Sequence, residues 1–350
     1  MPGSRNSRKW LEPKLARMTA EEAADAILGR RIDAVWRGLG LLCVDRSREA
    51  EHVHQLRVAT RRAVVALEIF RPLLAGKHHA WFARQLKRIR RTAGEARDLD
   101  VLSGRMAELA ELAERDNHVD PADHADHVDQ GVQAEAITIR PDGVSHRPSS
   151  PGVPMADTPA RAARRRLVEM LSRRREASRQ PIEAIYEDLV EADWPAHSAG
   201  LIDRGCDRCG EPFERFAAER LRPVMAGFFK AADAPLRDAD ELHRLRIKGK
   251  KLRYAMEVCG VVFSPKSRRR CTAALEKLQE SLGSFTDHSA AAERFHRWLH
   301  DDAALESREA LRAMEADERR RADAARQRFL RWWKPSRRRR LHRDFERASA

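Results

Sequence analysis

One eighteen-residue pattern occurs twice in this chain, at a fixed offset of 189 residues. The first copy runs from Glu51 through His54-Gln55-Leu56-Arg57-Val58-Ala59-Thr60-Arg61-Arg62 to Glu68. The second runs from Asp240 through His243-Arg244-Leu245-Arg246-Ile247-Lys248-Gly249-Lys250-Lys251 to Glu257. His54 matches His243, Arg57 matches Arg246, Arg61 matches Lys250 and Glu68 matches Glu257. The register then continues without a gap, pairing Gly94 with Gly283 and Asp98 with Asp287. Such a repeat means two copies of one structural unit, which must stack or face each other to bury their apolar sides.

On a helical wheel the first copy divides in two. Leu56, Thr60, Ala63, Leu67 and Phe70 fall on one side; His54, Arg57, Arg61 and Glu68 fall on the other. The second copy repeats the division, with Leu245, Gly249, Leu252, Met256 and Cys259 opposite His243, Arg246, Lys250 and Glu257. Arg62, Lys251 and Arg253 flank the polar stripes. A further segment sets Phe82, Leu86, Ile89 and Ala93 against Arg84, Lys87, Arg88 and Arg91. Here the copies diverge: the positions matching the four cations are Ala273, Glu276, Lys277 and Glu280, and Arg90 is matched by Gln279. The basic surface is therefore expected to be richer on the N-terminal half.

Composition supports a helical reading. Of 350 residues, 35% are charged and only 6% aromatic, and no alternating run of β-branched residues is long enough for a strand. The fold class is all-α. The net charge of +14 argues for a polyanionic partner: nucleic acid, an anionic membrane surface or a phosphate polymer. A merely solvated basic surface is the competing explanation for the charge alone. No apolar stretch approaches the roughly 18 residues a membrane-spanning helix needs. The basic start, Met1 to Lys9, lacks a hydrophobic core for export, so a cytoplasmic protein is expected. Cys43, Cys259 and Cys271 sit in helical patterns and read as small apolar residues. Cys206 and Cys209 form a lone C-x-x-C with no second pair, which reads as a reduced loop rather than a zinc site.

Along the chain, a capping-box pattern at Thr19 and Glu22 opens a helix to about Val44. A second covers about Arg48 to Arg71, before Pro72. A third runs from about Lys77 to Ala93, and a fourth follows Asp98 and fades near Arg115. Residues 116–159, rich in proline and glycine, read as a flexible insertion; its His118, His124 and His127 lack the fixed geometry a metal needs. A helical pattern from Arg161 reaches Asp193, with a break near Pro181 and an end marked by Trp194-Pro195. The second unit offers helices over about Glu211–Ala232, Asp238–Phe263, Lys266–Gly283 and Asp287–His300, then a last one over about Ala304–Trp333. Residues 1–17 and the arginine-rich tail 334–350 read as flexible ends. The expected architecture is two antiparallel helical bundles related by pseudo-twofold symmetry, one over residues 18–115 with 160–193 and the other over 194–333.

Stripes of this kind suit phosphate. Arginine offers a planar fork to two oxygens, lysine a mobile point charge, and histidine one or two N–H donors. Two such stripes facing each other repel until a polyanion binds, and that binding weakens with salt. Two other readings remain. Single-stranded nucleic acid would bind through stacking aromatics, of which the cationic helices carry only Tyr254, with Trp332 and Trp333 remote in sequence. Metal chelation by the histidines is opposed by the cations three and seven residues on.

The segments His54–Arg62, Leu86–Arg91 with Gly94 and Arg97–Asp100, and His243–Ala255 resemble the CHAD family, named for a histidine-bearing α-helical domain. The resemblance covers about Thr19 to Trp333 apart from the insertion. It implies two pseudo-symmetric bundles around a basic central cavity, inorganic polyphosphate as ligand, and association with polyphosphate granules. Carried over by position, the polyphosphate-facing residues are His54, Arg57, Arg61, Arg62, Arg84, Lys87, Arg88, Arg91, His243, Arg246, Lys250, Lys251 and Arg253. Many relatives are fused to a triphosphate tunnel enzyme domain with alternating glutamates and a lysine; the sequence holds no such segment. The expected protein is a binding module, not an enzyme, without metal or cofactor. Asp98, Asp100 and Asp287, the carboxylates nearest the basic stripes, read as helix caps or arginine partners. Glu276 and Glu280 depart from a uniformly basic cavity.

Overall fold

The computed structural model describes residues 15, 17–116, 159–208, 210–301 and 307–349. Among these, all regular structure is helical, joined by turns and two isolated β-bridges, Thr19 with Pro212 and Leu74 with Ile202. The insertion's three histidines and Cys209 lie outside the described residues.

α1 (Ala20–Val44) starts where expected. Thr19 Oγ1 accepts from the Glu22 N–H at 3.2 Å, and Glu22 Oε2 accepts from the Thr19 N–H at 2.9 Å. Each bond satisfies a donor that the first helical turn would otherwise leave orphaned. α2 (Glu49–Ile69) is followed by a 3-10 turn, Arg71–Leu73, that turns the chain into α3 (Gly76–Asp116). α4 (Pro159–Ala177) and α5 (Gln180–Glu191) are separated just ahead of Pro181, which occupies the first turn of α5. A short α6 (Trp194–Ala199) begins at the Trp-Pro pair that was expected only to end a helix; the Asp193 side chain caps it from the left-handed region, at φ 52°.

The second set follows the same order. α7 (Phe213–Ala232) leads to α8 (Ala239–Val258), a 3-10 turn at Gly260–Val262, α9 (Pro265–Trp298) and α10 (Arg308–Trp332). The two 3-10 turns and the starts of α3 and α9 again lie 189 residues apart.

Three expectations need correction. The third and fourth helices of each copy are one continuous helix, α3 and α9, because Gly94 and Gly283 sit in mid-helix, where glycine lowers stability without forcing a break. The tail is not frayed: residues Pro335–Ser349 form α11, whose Leu341 and Phe345 are buried against α7 and α9. Cys206 is disulfide-bonded rather than reduced, while Cys43, Cys259 and Cys271 are free thiols.

One apolar core runs through both sets of helices, from Ile27 and Leu56 to Leu245 and Phe345. The wheel faces are as expected: Leu56, Thr60, Ala63, Leu67, Leu245, Gly249, Leu252 and Met256 are all buried. Phe70, just past α2, stacks on Phe213 and Phe216 of α7. A smaller core joins the far ends of α3 and α9 to α4 and α10 through Leu102, Leu167, Phe295 and Leu311. Beside it, buried Glu318 takes Arg105 at 2.5 Å and His288 at 2.7 Å, tying α3, α9 and α10 together.

Candidate anion-binding site

α2 and α8 pack on each other, bringing the two copies of the repeated pattern face to face. Their ion pairs are reciprocal. Arg62 meets Glu257, Nε to Oε2 at 2.7 Å, and Lys251 meets Glu68. Arg62 matches Lys251 under the repeat, as Glu68 matches Glu257. Glu257 has no exposed side-chain surface and also takes Arg31 of α1 at 3.4 Å and Arg253 at 3.6 Å. Three guanidiniums replace the water this carboxylate has lost. Arg253 further donates from Nε to Gln279 Oε1 at 3.0 Å and lies over the Tyr254 ring at 4.6 Å. Arg62 and Lys251 are therefore occupied in joining the two sets of helices, and Arg253 is held within the second set. Glu257, placed by the wheel among the polar residues, is part of the interior.

The unmatched charge lies among four cations of the repeat: Arg57 and Arg61 on α2, Arg246 and Lys250 on α8. Lys250 is held down to about 7, first by burial and then by the charges of Arg246 and Arg61. Arg57 is pulled down to about 10 by burial and by Arg61, against the opposing pull of Asp98. Arg246 is lowered by burial, with Asp287 opposing. Each outer arginine keeps one aspartate, and the two pairs are copies of each other: Arg57 Nη1 to Asp98 Oδ1 at 4.0 Å, Arg246 Nη2 to Asp287 Oδ1 at 3.4 Å. Of the two roles expected for these aspartates, the arginine pairing holds. Capping does not, since both sit within continuous helices.

Arg57 is the more tightly seated of the two. Its Nη1 donates to the Ala93 carbonyl at 3.3 Å and lies 3.0 Å from where a Cβ on Gly94 would be. At Gly283 the corresponding space is open.

His54 lies exposed on α2, one turn before Arg57, with its pKa lowered by burial of part of the ring and by Arg97. Glu51 opposes that shift. His243 lies exposed on α8, one turn before Arg246 and on the same stripe. On α3, Arg84, Lys87 and Arg91 are exposed, and the wheel sets Lys87 and Arg91 on the side of Gly94 and Asp98. Arg88 is turned away and pairs with Asp188 of α5. On α9 the matching wall carries exposed Glu276 and Glu280, the latter 2.9 Å from Lys277. The basic surface is lopsided, as the substitutions imply.

Sequence reasoning missed Arg97, which faces His54 and Arg57, and Arg294, which pairs with Asp98 at 2.9 Å. Arg97 was legible. Continued through Gly94 instead of stopping there, the α3 wheel puts Arg97 within about 60° of that glycine. Arg294 had no local signal, because its partner lies on α3.

The cluster does not resemble a metal centre. No group of three histidine, cysteine, aspartate or glutamate side chains that could hold a metal exists among the described residues. Nor is there an open stacking platform on α8: Tyr254 is buried, and its ring is covered by Arg253 and Arg62. Among the described residues, no helix is long and apolar enough to cross a membrane.

The fold is similar to the crystal structure of the CHAD domain from the plant Ricinus communis, with a TM-score of 0.55 and 20% sequence identity over 92% of this chain and 94% of that one. It is also similar to PptA from Streptomyces chartreusis, with a TM-score of 0.50 and 17% identity over 91% of this chain and 100% of that one. No curated protein matches the chain significantly. The family model for the CHAD domain matches residues 26–296, most of the chain, and the chain therefore belongs to the CHAD domain family.

Proposed function

We propose that this protein binds inorganic polyphosphate, with the repeated cations of α2 and α8 as the centre of a basic cavity between two pseudo-symmetric halves. The observation that carries the reading is the crowding of Arg57, Arg61, Arg246 and Lys250 in a partly buried place; burial first, and then the charges of Arg246 and Arg61, hold Lys250 down to about 7. A folded protein keeps such a cluster at a cost, and a polyanion removes that cost by supplying the missing negative charge. His54, His243, Lys87, Arg91 and Arg97 extend the cluster outward; Arg84 lies at its rim. Arg62 and Lys251 pair across the helix crossing that holds the cluster in place, Arg253 steadies Glu257 from within α8, and Arg88 lies outside the cluster.

A phosphate polymer suits the cluster better than nucleic acid. Cations are abundant there, whereas Tyr254 is covered and offers no face to a base. Binding without turnover is the favoured chemistry. Asp98, Asp100 and Asp287, the carboxylates that could hold magnesium, are each engaged by arginine, Asp100 by Arg175 at 2.8 Å. Recruitment to polyphosphate granules follows naturally from such binding.

The test is a calorimetric titration with polyphosphate of the native chain and of a variant carrying Arg57→Glu and Arg246→Glu. Binding is expected to fall at least a hundredfold with helicity unchanged. Unaltered affinity overturns the reading. Displacement of polyphosphate by equal phosphate concentrations of RNA moves the assignment to nucleic acid. Magnesium-dependent phosphate release, abolished by Asp98→Ala, makes the protein an enzyme.

A further inference from the structure

A second group of cations lines a cleft that the repeat does not account for. It lies where α9 ends and α10 begins. His296, Leu299 and His300 come from the α9 end, and Arg308, Arg312, Glu315 and Arg319 from α10. The α10 residues are spaced four, three and four apart, which puts them on one stripe of that helix. Together they surround a cleft of about 540 Å³. His296 is nine residues beyond Asp287 on α9. That is half a turn round the helix and about 13 Å along it. The cleft and the α2–α8 cluster therefore use different faces of α9.

Among the described residues, the charges of this cleft do not cancel. The one carboxylate among the described residues lining it is Glu315, which is buried, and a single oxygen of it is taken twice: by His296 Nδ1 at 3.0 Å and by Arg319 Nη2 at 2.6 Å. With Nδ1 engaged, Nε2 is the His296 nitrogen left for another partner. Arg308, Arg312 and His300 meet no carboxylate among the described residues. The Nε of Arg308 is buried and has no hydrogen-bond partner among them. A desolvated guanidinium donor without an acceptor is costly. The described groups lining the cleft around it are mostly basic, and none of them reaches this Nε as an acceptor.

We propose that this cleft is a second anion site, which takes a compact, multiply charged phosphate group. Arg308 and Arg312, one turn apart, present their guanidinium forks from α10. His296 and His300 approach from α9. Donors from two helices suit a tetrahedral oxyanion, whose oxygens point in several directions; a carboxylate, with two coplanar oxygens, would occupy one fork and leave the other side unmet. The Arg319–Glu315 pair acts behind the site, holding the His296 ring in position.

The phosphate group can be a free small anion or one unit of a long chain. Calorimetric titrations of the full chain with inorganic pyrophosphate and, separately, with long-chain polyphosphate tell these apart. Pyrophosphate affinity is expected to fall at least tenfold in an Arg308→Glu, Arg312→Glu variant and to persist in the Arg57→Glu, Arg246→Glu variant. Pyrophosphate affinity unchanged by the Arg308 and Arg312 substitutions overturns the proposal, as does loss of it only with Arg57 and Arg246. A tenfold loss for long-chain polyphosphate in the Arg308 and Arg312 variant assigns the cleft to a unit of the chain. Loss confined to pyrophosphate assigns it to a free small phosphate. If the glutamate variant loses helicity, Arg308→Gln with Arg312→Gln repeats the test without introducing repulsion.

Discussion

At the scale of single residues, Lys250 and Glu257 show how seven positions along one helix can separate two fates. Both face α2 from α8. Lys250, partly buried and among like charges, is held near 7, whereas Glu257, fully buried, is surrounded by three arginines. Because Lys250 is lowered from 10.5 to about 7, the unfolded chain holds more protons than the folded one between those values. The lysine's penalty on stability is therefore complete below pH 7 and relaxes as pH rises above it. A bound polyanion restores the lysine's charge, so binding at pH 8 should take up close to one proton per chain, and almost none at pH 5.5. Calorimetry in buffers of different ionisation enthalpy measures this uptake, and Lys250→Arg should abolish it. Glu257→Ala, by leaving three guanidiniums around an uncharged space, is expected to cost about 3–5 kcal/mol in urea unfolding. A loss below about 1 kcal/mol would mean that the arginines find water instead.

At the scale of helices, the repeat makes an internal control available. Gly94 and Gly283 occupy matched places within α3 and α9. Alanine at either should favour the helix by up to about 1 kcal/mol. At Gly283 nothing stands in the way, so Gly283→Ala should raise the thermal midpoint and leave polyphosphate affinity unchanged. At Gly94 the new methyl group meets the Arg57 guanidinium at 3.0 Å and displaces it. Gly94→Ala should therefore weaken binding severalfold at similar or higher stability; equal binding by the two variants would remove Arg57 from the site. The same glycines mark what the sequence could and could not tell. Periodicity identified the apolar faces of α2 and α8, since their burial follows directly from the wheel, but it left Glu257 on the polar side. It stopped at Gly94 because glycine favours helix ends as well as close approaches, and only the third dimension shows which applies. That one misplaced boundary also hid Arg97 and left capping open for Asp98 beside the arginine pairing that it makes.

At the scale of the whole molecule, long-range contacts carried the least sequence signal. The arginine-rich tail looked like a solvated end because its charges outnumber its apolar residues. Two of those apolar residues, Leu341 and Phe345, suffice to dock α11, with Phe345 packed against Phe229 and Phe263. Phe345→Ala should cost about 3–5 kcal/mol in chemical denaturation. Polyphosphate affinity should be unaffected, since α11 packs on α7 and α9 away from Arg57 and Lys250. Loss of affinity in a still-folded variant would show that the tail belongs to the site.

The salt links across the α2–α8 crossing have one more implication. Each half carries both members of the pair it needs: Arg62 and Glu68 on one, Lys251 and Glu257 on the other. Two identical copies of either half, set about a dyad, would meet cation to carboxylate at both ends of the contact. The molecule is thus charge-matched in the manner of a homodimer whose subunits have been joined into a single polypeptide.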